Sequence, residues 1–174
     1  MIDLAFNKKL ADKRKEWLTT YSVHNYVDHS NKYLRYKDFV HKELIQFSIA
    51  DCARSIPCLC DGLKPGQRKI LYACFKRKLK AEIKVAQLCG YVAEHSAYHH
   101  GEVSLCQTII NMAQNFVGSN NINLFLPIGQ FGTRNQGGKE AASPRYIFTN
   151  LSGVTRYLFH EDDDALLNYL EEEG

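Results

Sequence analysis

The chain has 174 residues, 45% of them hydrophobic and 11% aromatic, and 22 Lys or Arg against 19 Asp or Glu give a net charge of +3. This composition excludes an intrinsically disordered chain and predicts a folded domain with its own core. No apolar run is long enough to span a membrane, and the first residues lack the regions of a signal peptide. We therefore predict an intracellular protein that does not bind membranes.

The first fifty residues are polar and predict an extension, which becomes helix-like only in YKDFVHKELIQFS, where Phe39, Leu44 and Phe47 recur at roughly helical spacing. Three helices with short joints follow, and Pro65 stands at a plausible first helical position. Their predicted apolar stripes are Ile70, Leu71, Cys74 and Phe75; Val85, Leu88, Cys89 and Val92; and Leu105, Ile109, Ala113 and Phe116.

After Asn120 the pattern changes to short apolar runs interrupted by Pro and Gly. LFLPIG predicts a strand, TRNQGGKEAASPR a long, flexible, basic loop, and YIFT a second strand that begins at Tyr146. The sequence thus predicts an α+β fold, mainly helical, of the winged-helix type, in which a helix-turn-helix carries a β wing. The acidic end, FHEDDDALLNYLEEEG, predicts a short helix.

The positive charge lies before residue 160. Residues 160–174 carry seven acidic and no basic side chains, which leaves the rest at about +10, and residues 54–100 alone hold nine Lys or Arg against three acids. Such a basic surface is typical of a protein that binds a polyanion, and nucleic acid is the predicted partner.

The cysteines and histidines do not have the spacing of a zinc site. Six cysteines include no C-x-x-C pair, and Cys74, Cys89 and Cys106 stand among apolar neighbours. We predict that these three are reduced core side chains. His99 and His100 lack further ligands at a defined spacing, so the sequence predicts no bound metal.

Tyr146 is the first candidate for chemistry. A tyrosine hydroxyl titrates near pH 10 in isolation, yet it attacks phosphorus if it is held in line and cations absorb the transferred charge. Arg145 and Lys139 are such cations. Neighbours on a strand point to opposite faces, and Tyr is common in strands, so spacing alone favours a structural role for Tyr146.

Two further groups suit phosphate. Tyr98, His99, His100 and Gly101 stand at the start of a helix, where imidazoles and free amides can bind a phosphate, although a cap and a solvated side chain are the alternative. The basic residues of RSIP and KPGQRK, which include Arg54, Lys64, Arg68 and Lys69, suit a DNA backbone more than its bases. The Gly137-Gly138-Lys139 run lacks the pattern of a nucleotide-binding P-loop.

The ordered series RSIPCLCDGLKPGQRKILYACFKR, KVAQLCGYVAEHSAYHHGE, AQNFVGSNNINL and PIGQFGTRNQGGKEAASPRYIFTNLS resembles the breakage-and-reunion region of eukaryotic-type DNA topoisomerase II. The resemblance covers nearly the whole chain and is strongest from Arg54 to Ser152. It implies that Tyr146 attacks the DNA backbone and becomes joined to a 5′ phosphate, with Arg145, Arg54 and His100 as catalytic neighbours. The residues expected to contact DNA are Lys64, Arg68, Lys69, Tyr98, His99, Ser104 and Lys139.

The same resemblance implies that residues 1–37 extend from a preceding metal-binding domain, that 38–152 form the winged-helix cleavage domain, and that 153–174 begin a tower domain. It implies Mg²⁺ and ATP as cofactors of the parent enzyme, bound by domains outside this chain, which binds neither and is inactive alone. The implied partner is double-stranded DNA, the parent enzyme is a homodimer, and its location is the nucleus, or a cytoplasmic viral factory for a viral source.

Two other classes of protein remain as alternatives. A non-catalytic winged-helix DNA-binding module would use the same basic face, but it needs neither the Arg-Tyr pair nor the YHHG block. A structural scaffold would not need the uncompensated positive charge.

Overall fold

The computed structural model describes residues 1–171 and contains two compact units, one ending at Lys64 and the other beginning at Pro65. Helices dominate both units, and two short strands pair in the second. The mainly helical α+β class that the sequence predicts is therefore confirmed. Within residues 1–171, no helix is both long and apolar enough to cross a bilayer.

The first unit is helical and has a small core of its own. Trp17, Val40 and Ile45 are buried together, and the Trp17 indole N–H donates to His41 Nδ1 at 3.1 Å. The start of the chain, predicted as a polar extension, is helical because Trp17 gives it an apolar contact. The helices are α1 (Ile2–Phe6), α2 (Ala11–Thr19), α3 (Tyr36–Asp38) and α4 (Ile45–Ser55), with a π-helical stretch (Phe39–Leu44) joining the last two.

Three helices form the body of the second unit: α5 (Pro65–Lys76), α6 (Val85–His95) and α7 (Glu102–Ala113). Their predicted positions are confirmed, and Pro65 is the first residue of α5. Phe116 is the exception, because α7 ends at Ala113 and Phe116 lies beyond it. The stripe residues that the structure buries are Ile70, Leu71, Cys74, Val85, Leu88, Cys89, Val92, Leu105, Ile109 and Ala113.

A small antiparallel arrangement of strands packs beside these helices. Strand β1 (Ile83–Lys84) pairs with β2 (Phe148–Thr149), and single bridges join Phe125 to Leu151 and Ile128 to Phe148. The buried Thr149 hydroxyl donates to the Leu126 carbonyl at 2.9 Å. After the strands, α8 (Thr155–Leu158) begins at another buried threonine.

Tyr146 does not lie in the second strand, contrary to the prediction. The strand begins at Phe148, and Pro144 to Tyr146 form a turn in which the Tyr146 amide donates to the Ser143 carbonyl at 2.9 Å. Pro144 favours this turn because its ring fixes φ and its nitrogen has no hydrogen to donate to a ladder. The alternation argument about Arg145 and Tyr146 therefore does not apply.

The loop between the two strand segments is held in place, although the sequence predicts that it is flexible. Gln114 is only 7% exposed, and its amide nitrogen donates to the carbonyls of Phe131 at 2.8 Å and Gly138 at 3.2 Å. The Gly138 amide in turn donates to the Thr133 carbonyl at 2.9 Å. A buried amide that lost these partners would remain unsatisfied, so the loop and Gln114 stabilise each other.

A carboxylate closes the same loop. Glu140 Oε1 accepts hydrogen bonds from the Thr133 amide at 2.7 Å and from the Thr133 hydroxyl. The hydroxyl bond is the larger cause of a pKa for Glu140 below its ordinary value. The ionised form of Glu140 is therefore the one that fits the folded loop.

The acidic end is not the α-helix predicted from the sequence. Residues Glu161–Leu166 form a 3₁₀ helix, and residues 167–171 have no regular structure, while 172–174 lie outside the described residues. Asp164 forms an ion pair with Arg156 at 2.8 Å, which ties this turn back to α8.

Replacing Gly138 should destabilise the second unit more than replacing its neighbour Gly137. Both glycines have positive φ, so alanine strains either by about 1–2 kcal/mol. A Cβ at position 138, however, would lie 2.4 Å from Gln114 Nε2, whereas at 137 it meets nothing within 4 Å. Gly138→Ala should cost about 1–3 kcal/mol more because the Gln114 bonds break. Urea unfolding of both variants measures the difference, and equal losses would contradict the role given to Gln114.

Acid should weaken the loop through Glu140. Because the folded-state pKa of Glu140 is lowered, its contribution to stability is present above the unfolded value of about 4.3 and is lost as pH falls through the folded value. The free energy of unfolding of wild type should therefore decrease over this range by more than that of Glu140→Gln. Urea titrations at a series of pH values test this, with Thr133→Val as the matched variant that removes the donor hydroxyl. Identical pH slopes for wild type and Glu140→Gln would refute it.

Candidate nucleic-acid interface

The backbone around Tyr146 is anchored to the start of α6. The first two amides of that helix, on Val85 and Ala86, donate to the carbonyls of Ile147 and Pro144, each at 3.0 Å. These amides have no partner inside the helix, so the turn satisfies donors that would otherwise need water. Ile147 is buried, whereas Tyr146 is 73% exposed. The phenol hydroxyl is thus presented to solvent on a backbone that is fixed on both sides.

The anchored turn is surrounded in sequence by exposed cations. Arg145 precedes Tyr146, while Arg134 and Lys139 lie on the loop that Gln114 holds. The one acidic residue between positions 120 and 150 is Glu140, whose carboxylate is bonded to Thr133. The surface near Tyr146 therefore keeps a positive charge that suits a phosphate backbone.

The YHHG block forms a loop between α6 and α7, and Lys69 helps to hold it. The Lys69 ammonium, on α5, donates to the Ala97 carbonyl at 2.8 Å, and Ala97 has the left-handed backbone conformation with φ 45°. A charged donor stabilises that conformation. Lys69 was predicted to contact DNA, and the structure gives it this loop contact as well.

Tyr98 and His100 belong to one small aromatic group on that loop. Their rings meet edge to face with centroids 5.6 Å apart, and the Tyr98 ring lies near Gly66 in the first turn of α5. His99 and His100 are both exposed. The loop therefore presents imidazoles to solvent immediately before the amino end of α7, where free amides favour an anion.

The outer face of α7 is polar and uncharged after its first residue. Ser104, Gln107 and Asn111 are exposed and follow one another at helical spacing, and the Gln107 amide donates to Asn111 Oδ1 at 2.8 Å. Side chains of this kind donate to and accept from base edges and phosphates alike. Sequence reasoning named Ser104 only, although Gln107 and Asn111 complete a polar stripe opposite the buried one.

The remaining basic candidates lie on either side of the point in the chain where the first unit ends. Arg54, in the last turn of α4, forms an ion pair with Asp51, and both side chains are about half exposed. Lys64 ends the first unit and is exposed. Arg68 is exposed on α5 in the second unit.

Within the second unit, the predicted residues form two groups at opposite ends of α6. One group is the Tyr146 turn with Arg145 and the loop bearing Lys139, at the helix start. The other is the histidine loop with Lys69 and Ser104, beyond the helix end. Sequence reasoning missed Gln114, because a glutamine after an apolar stripe gives no sign that a loop will fold over it.

Comparisons with known proteins agree on one family. Residues 54–174 match the family model that describes DNA gyrase/topoisomerase IV, and residues 1–52 match the C-terminal associated domain of TOPRIM. The chain is 63% identical to DNA topoisomerase 2 of Plasmodium falciparum and 60% identical to that of Saccharomyces cerevisiae, in each case over 99% of the chain. It is 61% identical to the Dictyostelium discoideum protein named DNA topoisomerase 2, mitochondrial.

A solved structure extends the agreement to the fold. The crystal structure of the Plasmodium falciparum topoisomerase II DNA-binding, cleavage and re-ligation domain superposes with a TM-score of 0.83 at 63% identity, covering 99% of this chain and 24% of that one. The chain spans about 12% of the length of the Plasmodium and yeast relatives. On these matches, the chain belongs to the type II DNA topoisomerases, in the family of DNA gyrase/topoisomerase IV, and its relatives are eukaryotic DNA topoisomerase 2 proteins.

Proposed function

We propose that this chain is the DNA-cleaving segment of a type II topoisomerase and that Tyr146 is its nucleophile. The observation that carries the proposal is the exposed phenol on a turn whose backbone is anchored at Ile147 and Pro144. A nucleophile must be held in line with the bond that it breaks, and a fixed backbone limits the orientations its side chain can take. A tyrosine with a packing role alone would bury its ring.

The proposed reaction is a transesterification. The Tyr146 oxygen forms a bond to a backbone phosphorus, the bond from phosphorus to the 3′ oxygen breaks, the phenol proton leaves, and the 3′ oxygen gains a proton. One phosphodiester replaces another, so the energy of the cleaved bond is kept in the 5′ phosphotyrosyl link. Rejoining is the reverse reaction, in which the 3′ hydroxyl attacks the same phosphorus.

Cations lower the barrier by stabilising the additional negative charge on the phosphoryl oxygens. Arg145 lies next to the nucleophile and is exposed, which supports this role. We propose Arg54 and His100 as the other catalytic neighbours. For Arg54 the ion pair with Asp51 must open or be shared, since a guanidinium has donors for both partners.

We infer that the second unit has the winged-helix arrangement and that α7 faces the duplex. The order α5, β1, α6, α7 and then a strand, a loop and β2 supports this, with the loop held by Gln114 as the wing. The polar stripe of α7 is suited to a groove. Lys64, Arg68, Lys69, Tyr98, His99, Ser104 and Lys139 are the proposed DNA contacts.

Magnesium and ATP belong to the proposal for the parent enzyme. Mg²⁺ prefers oxygen ligands, and the candidate metal cluster found among residues 1–171 consists of two thiols and one carboxylate. That donor set does not fit Mg²⁺, so no step of the reaction is routed through it. We place both cofactors on other parts of the parent protein.

The parent enzyme is proposed to be a homodimer acting on double-stranded DNA in the nucleus. Similarity alone does not fix the location, because the Dictyostelium relative is named as mitochondrial. For a viral source, a cytoplasmic viral factory is the alternative.

Tyr146→Phe in the full-length parent protein should abolish covalent protein–DNA complexes trapped by denaturant, because the attacking oxygen is removed. Non-covalent DNA binding should stay within about twofold, since one exposed hydroxyl contributes little to a phosphate-dominated affinity. Tyr157→Phe is the matched control, as Tyr157 is 84% exposed on α8. Adducts that persist in Tyr146→Phe would assign the nucleophile elsewhere, and a wild-type protein without adducts would indicate a non-catalytic DNA-binding module.

The affinity of the parent protein for DNA should fall steeply with salt as phosphate contacts release counterions. Lys139→Gln should reduce the slope of log affinity against log salt by about 0.9, the value for one phosphate contact. Lys8→Gln, an exposed lysine of the first unit, should leave the slope unchanged. Fluorescence anisotropy over a salt series measures both slopes. A salt-independent affinity would contradict the basic-face hypothesis.

A further inference from the structure

Three ligand-bearing side chains meet where α6 and α7 pack together. Cys89 is in the middle of α6, and Glu102 and Cys106 are one turn apart on α7. The two sulfur atoms and a carboxylate oxygen all lie within 4.8 Å of one another. This thiol cluster (Cys89, Glu102 and Cys106) is the group of potential metal ligands found among residues 1–171.

The spacing of the thiol cluster suits a small, soft cation. Zinc binds thiolate sulfur at about 2.3 Å and carboxylate oxygen at about 2.0–2.2 Å, which places two sulfurs of a tetrahedral site roughly 3.8 Å apart. The ligand atoms therefore need to approach by about 1 Å at most to close around an ion. Ligands from two helices, two of them at i and i+4, are a common way to build such a site in a helical protein.

The electrostatics of the cluster favour a cation as well. Burial is the main cause that raises the pKa of both Cys89 and Cys106, and the negative charge of Glu102 raises both further. The thiols are therefore protonated without a metal, and the Cys89 thiol donates to the Glu102 carbonyl at 3.4 Å. A divalent ion would change the repulsion between thiolates and carboxylate into attraction to a shared centre.

An ion can reach the cluster from solvent. Both cysteines are buried, but Glu102 is exposed at the amino end of α7. It lines a shallow groove together with His100, Ser104 and Gln107. The carboxylate is thus the outer ligand and the two sulfurs are the inner ones, which leaves a fourth position on the solvent side for water.

We propose that Cys89, Glu102 and Cys106 bind a soft divalent cation of the Zn²⁺ class. Binding forms two metal–sulfur bonds and one metal–oxygen bond and releases two thiol protons to solvent, with no change in oxidation state. The ion links the first turn of α7 to the middle of α6 and so fixes the helix whose polar stripe is exposed. This site is distinct from the proposed Mg²⁺ chemistry, and it does not depend on Tyr146.

Cadmium is the probe for this site, because its thiolate complexes absorb in the ultraviolet and Cd²⁺ shares the preference of zinc for sulfur. The full-length protein is titrated with Cd²⁺ under a non-thiol reductant, and the stoichiometry is compared with that of Cys106→Ala and Cys89→Ala. Wild type should bind one equivalent more than either variant. Cys74→Ala is the matched control, since Cys74 is a buried thiol on α5 outside the cluster, and it should bind as wild type does.

Glu102→Gln keeps the test decisive if a cysteine variant fails to fold, because Glu102 is exposed. Removing this ligand charge should weaken Cd²⁺ by about tenfold or more and reduce the rise in Tm that Cd²⁺ gives wild type. Equal stoichiometry and affinity in wild type and Cys106→Ala would overturn the proposal. So would unchanged Cd²⁺ affinity in Glu102→Gln, or loss of the bound equivalent in Cys74→Ala.

Discussion

The amino end of α6 is the constraint on which the candidate active site depends. A helix leaves its first amides without partners, and here the amides of Val85 and Ala86 are satisfied by the carbonyls of Ile147 and Pro144. The same two bonds fix the segment between them. Ile147 turns inward against the core, and Tyr146 is left on the surface as a consequence. A requirement of helix stability thus determines where the candidate nucleophile stands.

Buried polar groups play a comparable part in the neighbouring loop. The loop contains three glycines and little apolar surface, so hydrophobic burial alone would not hold it. Gln114 supplies an amide donor from inside the core, and Thr133 and Glu140 close the loop from the other side. Satisfied buried hydrogen bonds specify one arrangement because every alternative leaves a donor or acceptor unpaired. An ordered loop can keep its cations near Tyr146, which a mobile loop could not do reliably.

The helices were the predictable part of the fold, whereas the short strands, the turn at Tyr146 and the acidic end were not. Helical stripes at α5, α6 and α7 span several turns, so periodicity identifies them and their buried faces. The strands have two residues each, too few for an alternating pattern, and Tyr146 was misplaced in one of them. Sequence reasoning also treated Cys89 and Cys106 as separate core residues. Their meeting with Glu102 depends on how α6 packs on α7, which no local pattern reports.

The sequence by itself determined the class of the fold, the basic character of the chain and, through its ordered blocks, the family to which it belongs. It also supplied the names of the candidate residues, because blocks such as YHHG and SPRY persist as residue types. Only the tertiary structure decided what holds each of them: the ammonium of Lys69 on the Ala97 carbonyl, the ion pair of Arg54 with Asp51, and the anchored turn beneath Tyr146. The physical reason is that hydrogen bonds and charge pairs act over a few ångströms between residues far apart in the chain, and that proximity exists only after the helices have packed.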